Sequence, residues 1–228
     1  MSFSSRSALA VVLKSCEISY RITGAAFPCL KMVEAPSPLD SYAILREPSS
    51  EGRTIFTPLA SVRGVEDPRL LKSDAPNYFA MAWGEISAVL PANRDRWDDA
   101  ALAINAAVYR TQDHLHIHLG CINPDVRHAL SPRSIGTGAF ARMTVKLERQ
   151  TFWARFVPGD DLERINPFKM VAEGVPGARA NMGGATIAVI GGRSADGGKG
   201  FYLLATVMSN PPKSLAAAET LLDPTCGS

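Results

Sequence analysis

Histidine is scarce in this chain: four occur in 228 residues, and all lie between His114 and His128. An excess of charge is also missing. Lys and Arg number 24 against 22 Asp and Glu, a net of +2, which argues against a nucleic-acid partner. No apolar run approaches the ~18 residues of a membrane span. The stretch Ala8–Leu13 is too short for the apolar centre of a signal peptide, and no small-residue cleavage site follows it. No Cys-x-x-Cys pair is present, which argues against zinc-ribbon and thioredoxin-type sites. Gly136-Thr-Gly138 lacks the downstream Lys-Ser/Thr of a phosphate-binding loop. No serine sits in a Gly-x-Ser-x-Gly frame, which argues against a serine hydrolase. Internal repeats and low-complexity segments are lacking too.

What is present is ordinary globular material, 46% hydrophobic and 20% charged. Area scaling for this length gives roughly 70% of the unfolded surface buried on folding, enough for one substantial core. Tyr42–Leu45 and Thr54–Phe56 read as strands around a turn cluster at Pro48–Gly52. Ala8–Leu13 reads as a short amphipathic helix. Tyr78–Leu90 is apolar at helical spacing after the helix-start residues Asp74–Asn77. Ala101–Ile104, Val108–Tyr109 and Phe140–Leu147 read as extended. Phe168–Gly174 reads as a helix between two prolines. Thr186–Ile190 and Phe201–Val207 read as a hairpin, and Ser214–Leu222 as a terminal helix. Short turns between strands, with helices that do not alternate with them, predict an antiparallel α+β architecture.

The most regular alternation is His114-Leu-His-Ile-His-Leu119. On a strand, successive side chains point to opposite faces, so Leu115, Ile117 and Leu119 enter the core. His114, His116 and His118 then line up on the other face, ~13 Å from first to last at the strand rise. A helix would turn His116 away from the other two. Three chemistries suit such a row. Neutral imidazoles can ligate zinc or another transition metal. The middle imidazole can attack phosphorus as a nucleophile while its neighbours bond phosphate oxygens. The third arrangement is a structural one on a solvated strand. His128, ten residues beyond His118, reads as a surface residue or else as a further metal ligand.

His114-Leu-His-Ile-His-Leu-Gly-Cys-Ile-Asn-Pro-Asp-Val126 resembles the histidine-triad superfamily, and within it the CDP-diacylglycerol pyrophosphatase family. The resemblance extends to Gly64-Val-Glu-Asp-Pro, Ala75–Trp83, Ala101–Asn105 with Arg110-Thr-Gln112, Trp153-Ala-Arg155, Asn166–Met170, Ala172–Pro176 and Phe201–Thr206. It implies a histidine-triad α+β fold and hydrolysis of CDP-diacylglycerol to CMP and phosphatidate. By position in the motif, His116 is the candidate nucleophile and His114 and His118 are its partners. Asn105 stands where the superfamily places an amide near the phosphate, or else ends a strand as a turn residue. Arg110 and Gln112 are candidate pyrophosphate contacts, or else solvated turn residues. The implied scheme requires no metal or other cofactor. A zinc-dependent hydrolase on the same histidines and a nucleotide-binding module without turnover are the alternatives.

Four cysteines permit three pairings. Cys16 with Cys29 would close a local loop around Gly24, and Cys121 with Cys226 would tie the tail to the histidine segment. Four reduced thiols are the remaining possibility. The resemblance favours two disulfides and an extracytoplasmic, periplasmic protein. It also implies a hydrophobic anchor that this sequence lacks, so integral membrane attachment is not expected. A lipid substrate still implies peripheral contact with a membrane surface. Phe3, Ala8–Leu13 and residues of Tyr78–Trp83 are the candidates for that contact. The chain is read as one catalytic domain, with a cysteine-bridged segment over residues 1–40 and a core over 41–228.

Overall fold

The computed structural model of the chain describes residues 5–46, 53–130, 135–208 and 217–226. The turn cluster Pro48–Gly52, Phe3, residues 131–134 of the Ser131–Gly138 loop and residues 209–216, which include the start of the expected terminal helix, lie outside them. The helices are α1 (Ala8–Thr23), α2 (Tyr78–Val89), α3 (Arg96–Asp99), α4 (Pro124–Ala129) and α5 (Pro167–Gly174). The strands are β1 (Lys31–Val33), β2 (Tyr42–Arg46), β3 (Thr54–Pro58), β4 (Ala100–Ile104), β5 (Ile117–Cys121), β6 (Ala141–Arg142), β7 (Trp153–Pro158), β8 (Ala185–Arg193) and β9 (Lys199–Val207). They form one sheet in the order β1-β2-β3-β5-β4-β8-β9-β7-β6. Each neighbouring pair is antiparallel. The result is a mixed α/β protein built on a large antiparallel sheet.

Local chemistry explains where the helices begin and end. The Asn77 side chain accepts from the Ala80 amide and caps α2. Asn166 caps α5 in the same way, with Pro167 in its first turn. Gly24, at φ +75°, closes α1 in the left-handed conformation, and its amide donates to the Tyr20 carbonyl. That helix runs ten residues past the expected Leu13, because Leu9, Leu13 and Cys16 recur on one buried stripe.

The sheet has two differently covered faces. On one, Ile44, Phe56, Leu102, Ile117, Leu119, Ile187 and Leu203 meet Tyr78, Phe79 and Ile86 of α2 and Phe168 of α5. Burial of each such side chain contributes roughly 1.5–3 kcal/mol. The other face carries two separate clusters. Ala43, Leu45 and Ile55 pack under Leu9 and Leu13 of α1. Ala101, Ala103, Ala188, Ile190 and Leu204 pack under Val126 of α4 and under Ala218, Leu221 and Leu222 of the tail.

Four expected elements differ. Val108–Tyr109 is a turn, held by amides of Tyr109 and Arg110 on the Ala106 carbonyl. Phe140–Leu147 reduces to the two-residue β6, and Met143 meets the Phe152 carbonyl. Within the described part of the expected terminal helix, Ala218–Leu221 is a single 3-10 turn. The histidine strand begins three residues late, at Ile117. Its partner β3 ends at Pro58, which has no amide proton to extend the ladder. The Leu115 amide donates instead to the Val62 carbonyl.

Candidate active site

His118 lies on β5 between Ile55 of β3 and Ala103 of β4. Those two residues belong to the two different clusters on that face. The side chain therefore sits where neither α1 nor the tail covers the sheet fully. His114 and His116 precede β5 in extended chain fixed by polar contacts to β3. Thr57 Oγ1 donates to the Leu115 carbonyl at 2.7 Å, and His114 Nε2 lies 2.8 Å from the Pro58 carbonyl. Leu115 and Ile117 face the main core, as the alternation requires.

All three imidazoles are largely buried, and those of His116 and His118 meet at the cleft while the His114 ring turns to the Pro58 carbonyl. The His116 and His118 rings are 5.2 Å apart and nearly perpendicular, at 76°. His116 Nδ1 lies 2.8 Å from the His114 carbonyl oxygen. A carbonyl can only accept, so Nδ1 carries the proton. In the neutral ring Nε2 then holds the in-plane lone pair, the form a nucleophile needs. His114 donates its own Nε2–H to Pro58, and burial pushes its pKa below the usual histidine value. His118 Nε2 lies 3.1 Å from a carboxylate oxygen of Glu219.

Glu219 was not among the residues singled out in the sequence. Its backbone amide donates to Asn105 Oδ1 at 3.3 Å, so Asn105, at the end of β4, helps seat it. The Arg53 guanidinium lies 3.9 Å from the same carboxylate. The one sequence signal was that Glu219 is the sole charged residue in an Ala- and Leu-rich stretch, Ser214–Leu222.

Arg110 is buried and engaged by two carboxylates: Nη1 to Glu66 at 2.6 Å and Nη2 to Asp113 at 2.9 Å. Burial opposes its charge, and Glu66 and Asp113 more than offset that, so its pKa is raised. Asp113 also meets Arg6 at 2.9 Å. Arg6 and Arg110 together hold the Asp113 carboxyl below the usual carboxylate range. Gln112 Oε1 accepts from the Leu9 amide at 2.9 Å in the first turn of α1. Arg110 and Gln112 thus tie the turn before His114 to Glu66 and to the N-terminal helix. His128 is exposed on α4, apart from the other three.

His116 and His118 line a cleft of about 530 Å³, bounded also by Ala8, Leu9 and Val12 of α1, Leu30, Leu45, Arg46, Ile55 and Gln112. A much narrower crevice that also touches His116 is lined by Gly64, Asn105, Arg110 and His114. A Cβ at Gly64 would lie 2.3 Å from Arg110 Nη1 and 2.8 Å from Glu66 Oε2, so a side chain there would displace the ends of that ion pair. Among the described residues no group of three or more His, Cys, Asp or Glu side chains is arranged to hold a metal ion.

Two disulfides frame the site. Cys16–Cys29 joins α1 to the loop behind it, and Cys121–Cys226 joins the end of β5 to the tail that carries Glu219. Among the described residues no cysteine is free. This bonding is consistent with an oxidising, extracytoplasmic location.

Over residues 4–228 the sequence matches the family model described as CDH, CDP-diacylglycerol pyrophosphatase. A protein of Yersinia pestis named CDP-diacylglycerol pyrophosphatase is 33% identical over 202 residues, covering 87% of this chain and 75% of that protein. Among solved structures, yeast Ap4A phosphorylase Apa2 in complex with AMP aligns at a TM-score of 0.42 and 8% identity, over 74% of this chain. The same enzyme in complex with Ap4A aligns at 0.39 and 10%, over 71% of this chain. In both cases the alignment spans 56% of the yeast chain, and the likeness is too distant to bear on the chemistry.

Proposed function

The chain belongs to the CDP-diacylglycerol pyrophosphatase family, and from that premise we propose that it hydrolyses CDP-diacylglycerol to CMP and phosphatidate through a cytidylyl intermediate on His116. In this reading the fold is of the histidine-triad type and the location is periplasmic. The observation that carries the mechanism is the bond from His116 Nδ1–H to the His114 carbonyl. It assigns the lone pair to Nε2 and supports the positive charge that the ring acquires when it bonds to phosphorus.

In the first step Nε2 of His116 attacks the cytidylyl phosphorus. The N–P bond forms, and the bond from that phosphorus to the bridging oxygen breaks with its electron pair leaving on phosphatidate. The leaving group is a phosphate monoester, far less basic than an alkoxide, so a hydrogen bond from a neighbouring imidazole suffices as acid catalysis. His118 supplies that bond, with Glu219 holding its ring. In the second step water attacks the same phosphorus. The N–P bond breaks, CMP leaves, and His118 takes the proton that water gives up. Asn105, Arg110 and Gln112 act around this centre. Asn105 and Arg110 line the narrow crevice beside His116, where Asn105 seats Glu219, while Arg110 and Gln112 fix the turn ahead of His114.

The test is release of CMP from CDP-diacylglycerol by protein pretreated with EDTA. Undiminished release is expected. Loss of activity restored by zinc would assign the histidines to a metal, and binding without release of CMP would assign the site to a nucleotide-binding module.

A further inference from the structure

The cleft that ends at His116 has an apolar wall for which chemistry at phosphorus has no use. That wall is α1, through Ala8, Leu9 and Val12, with Pro28 from the loop that the Cys16–Cys29 bond closes and Leu30 just past it. The helix carries apolar side chains on two faces. Leu9, Leu13 and Cys16 are buried against the sheet. Val11, Ile18 and Ile22 fall at i, i+7 and i+11, which at 100° per residue is one stripe on the opposite side. Ile22 is 76% exposed, and Phe27 in the adjoining loop 77%. Val11, Ile18, Ile22, Phe27 and Leu30 are five of the seven large exposed hydrophobic residues among the described ones, the others being Val108 and Val145. Lys14, paired with Glu17 at 2.7 Å, and Arg21 stand along one edge of the stripe. An exposed apolar stripe with cations along one edge is the pattern of a helix that lies in a lipid interface.

We propose that α1 and its disulfide-closed loop form a lipid-docking unit. Its exposed apolar residues enter a lipid surface, and the cleft takes the glycerol and proximal acyl carbons of a diacylglycerol so that the attached pyrophosphate reaches His116. This rests on the pyrophosphatase reading of the same site. A cleft of about 530 Å³ is of small-molecule size, so the distal acyl carbons remain in the lipid surface. Continuity commits the cleft to lipid: the residues that line its apolar wall and the two imidazoles bound one space. The unit is also fastened to the histidine turn, through Arg6 on Asp113 and the Leu9 amide on Gln112. The expected contact at Tyr78–Trp83 is unsupported, since Tyr78, Phe79, Ala82 and Trp83 are in the core.

Two measurements test the unit. In the first, the full chain is floated with phosphatidylcholine vesicles doped with phosphatidate. The wild type is expected to bind, and the double variant Ile22→Asp/Phe27→Asp to bind about tenfold or more weakly, since two exposed apolar side chains no longer insert. In the second, kcat/KM is measured on long-chain CDP-diacylglycerol and on CDP-glycerol, which has the same pyrophosphate and no acyl chain. Val12→Trp, which fills the cleft, is expected to lower the ratio of the two values roughly tenfold. A wild type that ignores the vesicles, or a Val12→Trp ratio equal to the wild type's, would overturn the proposal. So would a dimer that Ile22→Asp/Phe27→Asp dissolves while the wild type binds no lipid, which would assign the surface to a second copy. Hydrolysis of neither substrate by the wild type would overturn the pyrophosphatase reading alone, and the vesicle measurement would then decide the docking unit.

Discussion

Adjacent residues of β5 face two unlike environments. Ile117 and Leu119 lie in a continuous core under α2 and α5, closed on every side. His118, one residue away, and His116 just before it lie between two separate covers, α1 on one flank and the tail on the other. One face is packed throughout, and the other leaves a cleft where its two packing units fail to meet. The alternation of a strand therefore divides stability from chemistry at a spacing of one residue. The odd positions anchor the backbone, and the even positions receive fixed side chains next to open space.

The largest expected effect separates those roles. His116→Ala should lower kcat by at least ~10³-fold, the scale of losing the group that exchanges the bond, while the thermal midpoint stays near that of the wild type because the ring lies at the cleft and not in the closed core. Ile117→Ala should do the reverse, costing about 2–5 kcal/mol of stability in denaturant titration, with kcat of the folded fraction little changed. A large loss of stability in the first, or a matching loss of kcat in the second, would break the contrast.

Next in size is Glu219→Gln. The amide keeps the shape but loses the charge beside His118, and misplacement of that ring should cost up to ~10²-fold in kcat. A purely structural role would appear as lost stability in denaturant titration, whereas loss of the carboxylate 3.1 Å from the ring should lower kcat with stability little changed.

The smallest effect concerns His114. Burial holds its pKa below the usual ~6.5. Between that lowered value and ~6.5 the unfolded chain binds a proton that the folded chain does not. Stability should therefore fall as pH drops through this window and level off above it. His114→Gln should flatten that slope, and an unchanged slope would show that the buried ring does not set it.

Much of this division was legible in the residues. A period of two put Leu115, Ile117 and Leu119 inward, and Asn77 announced the start of α2. The paired strands around Gly191–Gly200 were visible too, and extend to Ala185–Arg193 and Lys199–Val207. The extent of the histidine strand was less legible. It depends on which partner stands opposite, and a proline there cuts the ladder three residues short of what the alternation suggests. Glu219 was invisible for a different reason. It reaches His118 from 101 positions further along the chain, carried by a tail that Cys226 bonds to Cys121 and that the Asp223 amide joins to the Cys121 carbonyl. No local period encodes such a contact. Arg110 and Gln112 were recognisable as residues of the turn before the triad. Their partners Glu66, Asp113 and the first turn of α1 emerge only when the chain closes on itself.

The central claim is that the middle imidazole bonds to phosphorus. Single-turnover mixing with CDP-diacylglycerol, an alkaline quench that preserves an N–P bond, and peptide mass mapping test it directly. A transient cytidylyl adduct on His116, rising and decaying as CMP appears, is the expected result. An adduct on another side chain, or CMP formed at full rate with no adduct at any time, would contradict it.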